Sequence, residues 1–167
     1  MTVSEFDAQM HKMIMRYPEQ VSLVQMNFLD THDVPRFLSY CVGDRRRLRL
    51  AYFYLFMGYG VPSVFYGDEY YIEGETENAY RSPMPWGSED NCYDILREYA
   101  QIRREQSAIR NGTHRTVLCQ DEKGLSLFLR ENDQEKILIA LNNSDEEQEI
   151  SDKAWRIPPM QGDIRIL

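Results

Sequence analysis

From Leu50 to Tyr66 the chain is apolar or aromatic at nearly every position. A run of that character has to be buried, either in lipid or in protein. Gly58, Gly60 and Pro62 interrupt it, and the unbroken pieces are too short for a bilayer's hydrocarbon core, which takes about 20 residues. No membrane partner is expected. The run reads as a buried helix turning directly into a strand, Val61 to Tyr66, and a strand apolar on both faces belongs to a parallel sheet covered by helices. Asp44 is placed to cap the helix, and Arg45 to Arg49 fall in its first turns. Positive charge at a helix N-terminus is mildly unfavourable, so acidic side chains from elsewhere are expected nearby. A solvated helix face and an anion site are both open to Arg45-Arg46-Arg47.

The 167 residues include 27 Asp and Glu against 19 Lys and Arg, a net charge of -8. Nucleic acid and anionic lipid attract Lys and Arg, so neither is expected as a partner, whereas a neutral sugar polymer makes no demand on net charge. A hydrophobic share of 43% supports a true core in one domain or two small ones. Cys41, Cys92 and Cys119 are odd in number, far apart and without CxxC or Cys/His ligand spacing. Reduced, buried thiols and a cytoplasmic location are expected, and neither a metal nor a cofactor is.

A second apolar run, strand-like from Val21, empties into Asn27-Phe28-Leu29-Asp30-Thr31-His32-Asp33-Val34-Pro35-Arg36. In a (β/α) barrel the C-terminal ends of buried strands carry the chemistry, so His32, Asp33 and Arg36 are site candidates. Taken alone, the same residues also read as a turn in which Thr31 or Asp33 caps a helix starting at Pro35. Two further motifs follow, Gly60-Val61-Pro62-Ser63-Val64-Phe65-Tyr66-Gly67-Asp68-Glu69 and Arg81-Ser82-Pro83-Met84-Pro85-Trp86. In this order and spacing, the three resemble the seventh strand, the eighth strand and the segment beyond it in the α-amylase superfamily of glycoside hydrolases. The third motif is similar to the neopullulanase, cyclomaltodextrinase and maltogenic amylase branch.

The resemblance implies an α/β plus all-β architecture: an incomplete (β/α)8 TIM-barrel segment over residues 1–111, then an antiparallel β-sandwich over residues 112–167. It implies that Asp33 matches the family's third acid, which stabilises an oxocarbenium-like transition state, and that His32 donates to substrate hydroxyls. Counting back from the Pro-Met-Pro-Trp turn places Glu77 and Arg81 where the branch grips sugar on the non-reducing side. Arg81 is equally open to a structural ion pair, Glu77 to being a solvated acid, and Arg36 to closing its turn or orienting a carboxylate. A retaining glycosidase also needs a nucleophile and an acid/base about 5 Å apart. In the superfamily those lie on the fourth and fifth strands, to which nothing in this chain corresponds. Asp68 and Glu69 are not expected to replace them, because adjacent side chains point apart.

The long polar loop from Asp68 to Asn91 exceeds a mere connection. Its Tyr70, Tyr71, Tyr80 and Trp86 could stack on sugar faces, although packing is the commoner role and Trp86 is read as structural. Elsewhere, Ser4 is placed as the cap of a first helix with Phe6, Met10, Met13 and Ile14 as its apolar stripe, and Tyr93 to Ile109 as a last helix stopped at Asn111-Gly112. Period-two segments then predict strands at Thr113–Gln120, Leu125–Arg130 and Lys136–Asn142, with two more near Glu147–Ile150 and Ile164–Leu167. The expected partners are an α-glucan oligosaccharide, the remainder of the barrel and a second copy of the chain, since two parallel strands leave open edges. A non-catalytic carbohydrate-binding or assembly module is the alternative to part of a hydrolase.

Overall fold

A computed structural model describes residues 1–150 and 155–167. The first helix, α1 (Val3–Ile14), is capped by Thr2 and not by Ser4. Glu5 stands three residues after Thr2 and completes a reciprocal pair: the Thr2 hydroxyl accepts from the Glu5 amide at 3.2 Å, and the Glu5 carboxylate accepts from the Thr2 amide at 2.8 Å. The Ser4 amide is thereby free to donate to Asp121 at 2.9 Å.

The apolar run from Val21 is not a strand at its start. Pro18 opens a short helix, α2 (Glu19–Val24), and only Met26–Asn27 (β1) is extended. A four-residue helix, α3 (Phe37–Tyr40), follows the loop beyond β1. The next helix, α4 (Arg45–Met57), begins as expected, with Asp44 accepting from the Arg46 amide at 2.9 Å. Its arginines find the anticipated acids: Arg45 pairs with Asp90, Arg46 with Asp44 and Asp145, and Arg47 with Asp44. Beyond that first turn the helix is buried nearly all round, through Leu48, Leu50, Tyr52, Phe53, Leu55, Phe56 and Met57.

Arg103 reaches across to the end of α4 and donates to the carbonyls of Phe56, Gly58 and Gly60. A cation there satisfies carbonyls the helix leaves open and complements its dipole. Gly60 has φ +91°, and a Cβ on it would stand 2.7 Å from the Gln25 carbonyl, so only glycine lets the chain enter β2 (Val61–Pro62) this close to β1. The strands pair in parallel, Met26 opposite Val61 and Asn27 opposite Pro62. The strand expected to reach Tyr66 is therefore short. Among the described residues each strand has one neighbour, and Pro62 has no N–H to extend the ladder.

A one-turn helix, α5 (Glu77–Tyr80), lies in the long loop. The single helix expected from Tyr93 breaks at Gln106 (φ -97°, ψ 108°) into α6 (Tyr93–Glu105) and α7 (Ser107–Asn111). The Glu135 carboxylate causes the break, accepting from the Ser107 hydroxyl at 2.7 Å and the Ala108 amide at 2.6 Å, and so starts a new helix.

The C-terminal sheet has the order β3-β4-β5-β8, all antiparallel, from Thr113–Gln120, Leu125–Glu131, Lys136–Asn142 and Gln161–Ile166. A two-stranded pair, β6 (Gln148–Ile150) with β7 (Trp155–Ile157), lies outside that sheet. β7 was not foreseen, being too short to display a period, and β8 starts three residues before the expected Ile164 because Gln161 pairs with Asn142.

Central β5 is buried on both faces. Ile137, Ile139 and Leu141 join Phe53, Phe56 and Ile109 in the main core, while Leu138 and Ala140 alternate with them and pack with Trp155 and Ile157. Helices and sheet thus share one core. Cys41 and Cys92 are buried free thiols, pushed up to about 11 chiefly by burial. Among the described residues no helix is long and apolar enough to cross a membrane.

Sheet and helix meet tightly at Gly162, where a Cβ would lie 2.1 Å from the Phe53 ring. Gly162→Val is expected to destabilise the fold by about 2–3 kcal/mol through overpacking. Urea denaturation followed by tryptophan fluorescence reads that loss as a lower midpoint.

Candidate active site

Both parallel strands run out into polar loops on the same side. After β1 the turn is tied by Thr31, whose hydroxyl accepts from the Asp33 amide at 3.2 Å. The helix that follows begins at Phe37, and the acid holding its first amide is Asp30, at 2.6 Å, not Thr31 or Asp33. His32 and Asp33 are left pointing outward, 63% and 66% exposed, with His32 Nε2 3.3 Å from Asp33 Oδ1. From the loop after β2, Arg81 completes the group. Its Nε donates to the His32 carbonyl at 2.9 Å, and its two terminal nitrogens lie 3.3 Å from Asp33 Oδ1 and 3.2 Å from Glu77 Oε1. Four of the five sequence candidates, His32, Asp33, Glu77 and Arg81, therefore form one exposed charge chain across two loops.

Arg36, the fifth, lies beneath them with its side chain fully buried. Its guanidinium donates to the Tyr80 carbonyl at 3.0 Å, the Tyr66 carbonyl at 2.7 Å and Asp68 at 3.2 Å, under the rings of Phe65 and Tyr66. That is the geometry of a pin between loops, with no exposed surface for a sugar. Asp68 also accepts from the Tyr52 hydroxyl. Burial, reinforced by the charge of Asp30, pushes the Asp68 carboxyl up to about 8 against the pull of Tyr52 and Arg36. Burial and the second buried carboxyl, Asp30, thus favour the neutral form of Asp68 more than Arg36 opposes it. Its neighbour Glu69 turns away to accept from the Gly67 amide.

Two features escaped the sequence. Asp30 stood inside the first motif without being singled out, and Tyr52 lay within the apolar run of α4, where nothing marked its hydroxyl. Trp86, read as structural, is instead 79% exposed. The Pro-rich turn holds it away from the described core. A groove of about 450 Å3 is lined by Phe6, Met10, Met13, Phe28, Leu29 and Tyr54 among others, and by none of the five candidates.

Polar side chains gathered where parallel strands end are the plan of the active face of a (β/α)8-barrel enzyme. A family model described as the catalytic domain of alpha amylase matches residues 1–116. A cyclomaltodextrinase from a Bacillus species is 32% identical over 142 residues, 83% of this chain and 25% of that protein. Neopullulanase 2 of Thermoactinomyces vulgaris is 30% identical over 148 residues, 87% of this chain and 25% of that one. The ligand-free cyclic alpha-maltosyl-(1-->6)-maltose hydrolase of Arthrobacter globiformis has the same fold, with a TM-score of 0.88 at 23% identity, over 99% of this chain and 40% of that one. The chain belongs to the α-amylase family, and it spans about a quarter of the length of the curated cyclomaltodextrinase and neopullulanase it resembles. Its fold is a segment of a (β/α)8 barrel followed by an antiparallel β domain.

The proton on Asp68 has a measurable consequence. Between about pH 4 and 8 the folded chain retains a proton that the unfolded chain releases, so this group's contribution to stability falls as pH rises through that window and is lost above 8. The slope is at most about 1.4 kcal/mol per pH unit. Denaturant melts across that range should show a flatter pH profile for Asp68→Asn than for the parent chain.

Proposed function

We propose that this chain forms one wall of the active site of a retaining α-glucan hydrolase acting on maltooligosaccharides, cyclodextrins or pullulan. The observation that carries the reading is the chain His32–Asp33–Arg81–Glu77, assembled from the two loops that leave the parallel strands. A carboxylate held open to solvent beside a guanidinium and an imidazole suits a sugar ring: Asp33 opposes positive charge developing at the anomeric carbon, and His32, Arg81 and Glu77 bond the surrounding hydroxyls. Trp86, exposed in the same loop, offers a face on which a sugar can stack. Arg36 acts on substrate only through the loops it joins.

The nucleophile and the acid/base belong to strands for which this chain has no counterpart, so the hydrolytic reaction requires the rest of a barrel. The division of labour falls between residues 1–111, the barrel portion, and residues 112–167, the β domain. Exposed Met13, Met26, Phe28 and Val61, with the apolar groove beside them, are the surface the remaining barrel would cover. Alone, the 167-residue chain would cover it by self-association. Reduced Cys41 and Cys92 suit a cytoplasmic setting.

The test is kinetic, on the intact protein with maltooligosaccharide or cyclodextrin. Asp33→Asn is expected to lower kcat by about 10²–10³ with little change in KM, because its interaction is strongest in the transition state. Arg81→Ala is expected to raise KM. Undiminished turnover in Asp33→Asn would refute the assignment. Tight maltooligosaccharide binding by the 167-residue chain alone, without any hydrolysis by the intact protein, would identify a carbohydrate-binding module instead. Light scattering checks the exposed face: mass growing with concentration is expected, and a monomer at all concentrations contradicts it.

A further inference from the structure

The chain has three histidines, and two of them meet far from His32 in sequence. His11 lies in the last turn of α1 and His114 near the start of β3, their ring centroids 5.4 Å apart at 69°. Asp7, one turn before His11, lies on the same face of the helix. One ligand atom from each of Asp7, His11 and His114 lies within 4.8 Å of the others.

The surroundings fix these groups in place. The Thr116 hydroxyl donates to Asp7 Oδ1 at 2.6 Å, and Asp7 Oδ2 is 3.5 Å from His11 Nδ1, which is also 3.0 Å from the Asp7 carbonyl. The His114 ring stacks on Phe128 with centroids 4.7 Å apart, and its buried Nδ1 has no hydrogen-bond partner among the described residues. A buried polar atom left without a partner is costly, and native structures contain few. Arg130 opposes a second cation here, and Asp7 supplies the offsetting negative charge. Asp7 and His11 remain partly open to solvent, which leaves room for water as a further ligand.

We propose that Asp7, His11 and His114 bind a divalent cation of the zinc class and so clamp α1 onto β3. Two imidazole nitrogens and one carboxylate suit Zn2+, Co2+ or Ni2+, whereas Ca2+ and Mg2+ demand oxygen ligands throughout. Tetrahedral bonds of about 2.0–2.1 Å put ligand atoms about 3.4 Å apart. Rotation of the half-exposed His11 side chain closes the present spacing. The site is independent of the sugar-binding reading, since none of its ligands belongs to that surface.

The test is calorimetric titration of the metal-free intact protein with ZnCl2, alongside thermal melts and the visible spectrum with CoCl2. The parent protein is expected to bind one equivalent that the His11→Ala and Asp7→Asn variants lack or bind at least about tenfold more weakly. Its Tm should rise by about 5 °C at a hundredfold excess over Kd, and Co2+ should give d–d bands of a low-coordinate site. His32→Ala should bind as the parent does. Asp7→Asn keeps an acceptor for Thr116, so it carries the test if His11→Ala fails to fold. Absence of a stoichiometric site at millimolar Zn2+, or equal binding by the parent and both variants, would overturn the proposal and leave a polar seam or an adventitious thiol site.

Discussion

The buried guanidinium of Arg36 is the interaction on which the candidate site depends. Its partners are the Tyr66 and Tyr80 carbonyls and the Asp68 carboxyl, so one side chain from the loop after β1 holds two separate points of the loop after β2. Removing a charge from water costs several kcal/mol unless it is paired, and three oxygens around Nε and one terminal nitrogen offset much of that cost, while the other terminal nitrogen is buried without a hydrogen-bond partner among the described residues. Only once the loops are joined can Arg81 reach the His32 carbonyl and the Asp33 carboxylate. The exposed chemistry thus rests on buried chemistry, and loss of the Arg36 guanidinium would loosen both halves of the site together.

A second constraint fixes the base of those loops. The α4 helix lies between the parallel strands and the C-terminal sheet, and its Phe53 meets Gly162 of β8 with no room for a side chain. Arg103 closes the other end of α4 on the carbonyls that lead into β2. The β domain therefore shares the core that sets where β2 begins, and a change in the sheet can be felt at the site. This follows from close packing, since interiors of this density transmit small displacements.

Much of this was legible in the sequence, and the exceptions have physical causes. Asp44 as a cap, the acids beside Arg45 to Arg47 and the three long strands of the sheet follow from local rules that tertiary contacts leave intact. His32, Asp33, Glu77 and Arg81 were found through motifs, and their meeting across two loops needed the fold. The barrel strands came out shorter than their apolar runs because strand length depends on neighbours that a sequence pattern does not count. Gln106 breaks its helix because Glu135, distant in sequence, caps a new one. Asp30, Tyr52 and the Asp7–His11–His114 cluster share that origin: each is an ordinary polar residue until the fold supplies its partners.

The central claim is that Arg36 holds both loops as one unit, and amide hydrogen exchange tests it most directly. The relevant amides are Arg36, bonded to the Gly74 carbonyl, and Ile72, bonded to the Gly67 carbonyl, one in each loop. In Arg36→Lys, which keeps the charge but gathers its donors on one nitrogen and loses the fork that spans the two points of the loop, protection at both amides should fall together while the β4 and β5 amides keep theirs. Unchanged protection in both loops would contradict the account and leave Arg36 as one buried ion pair among several.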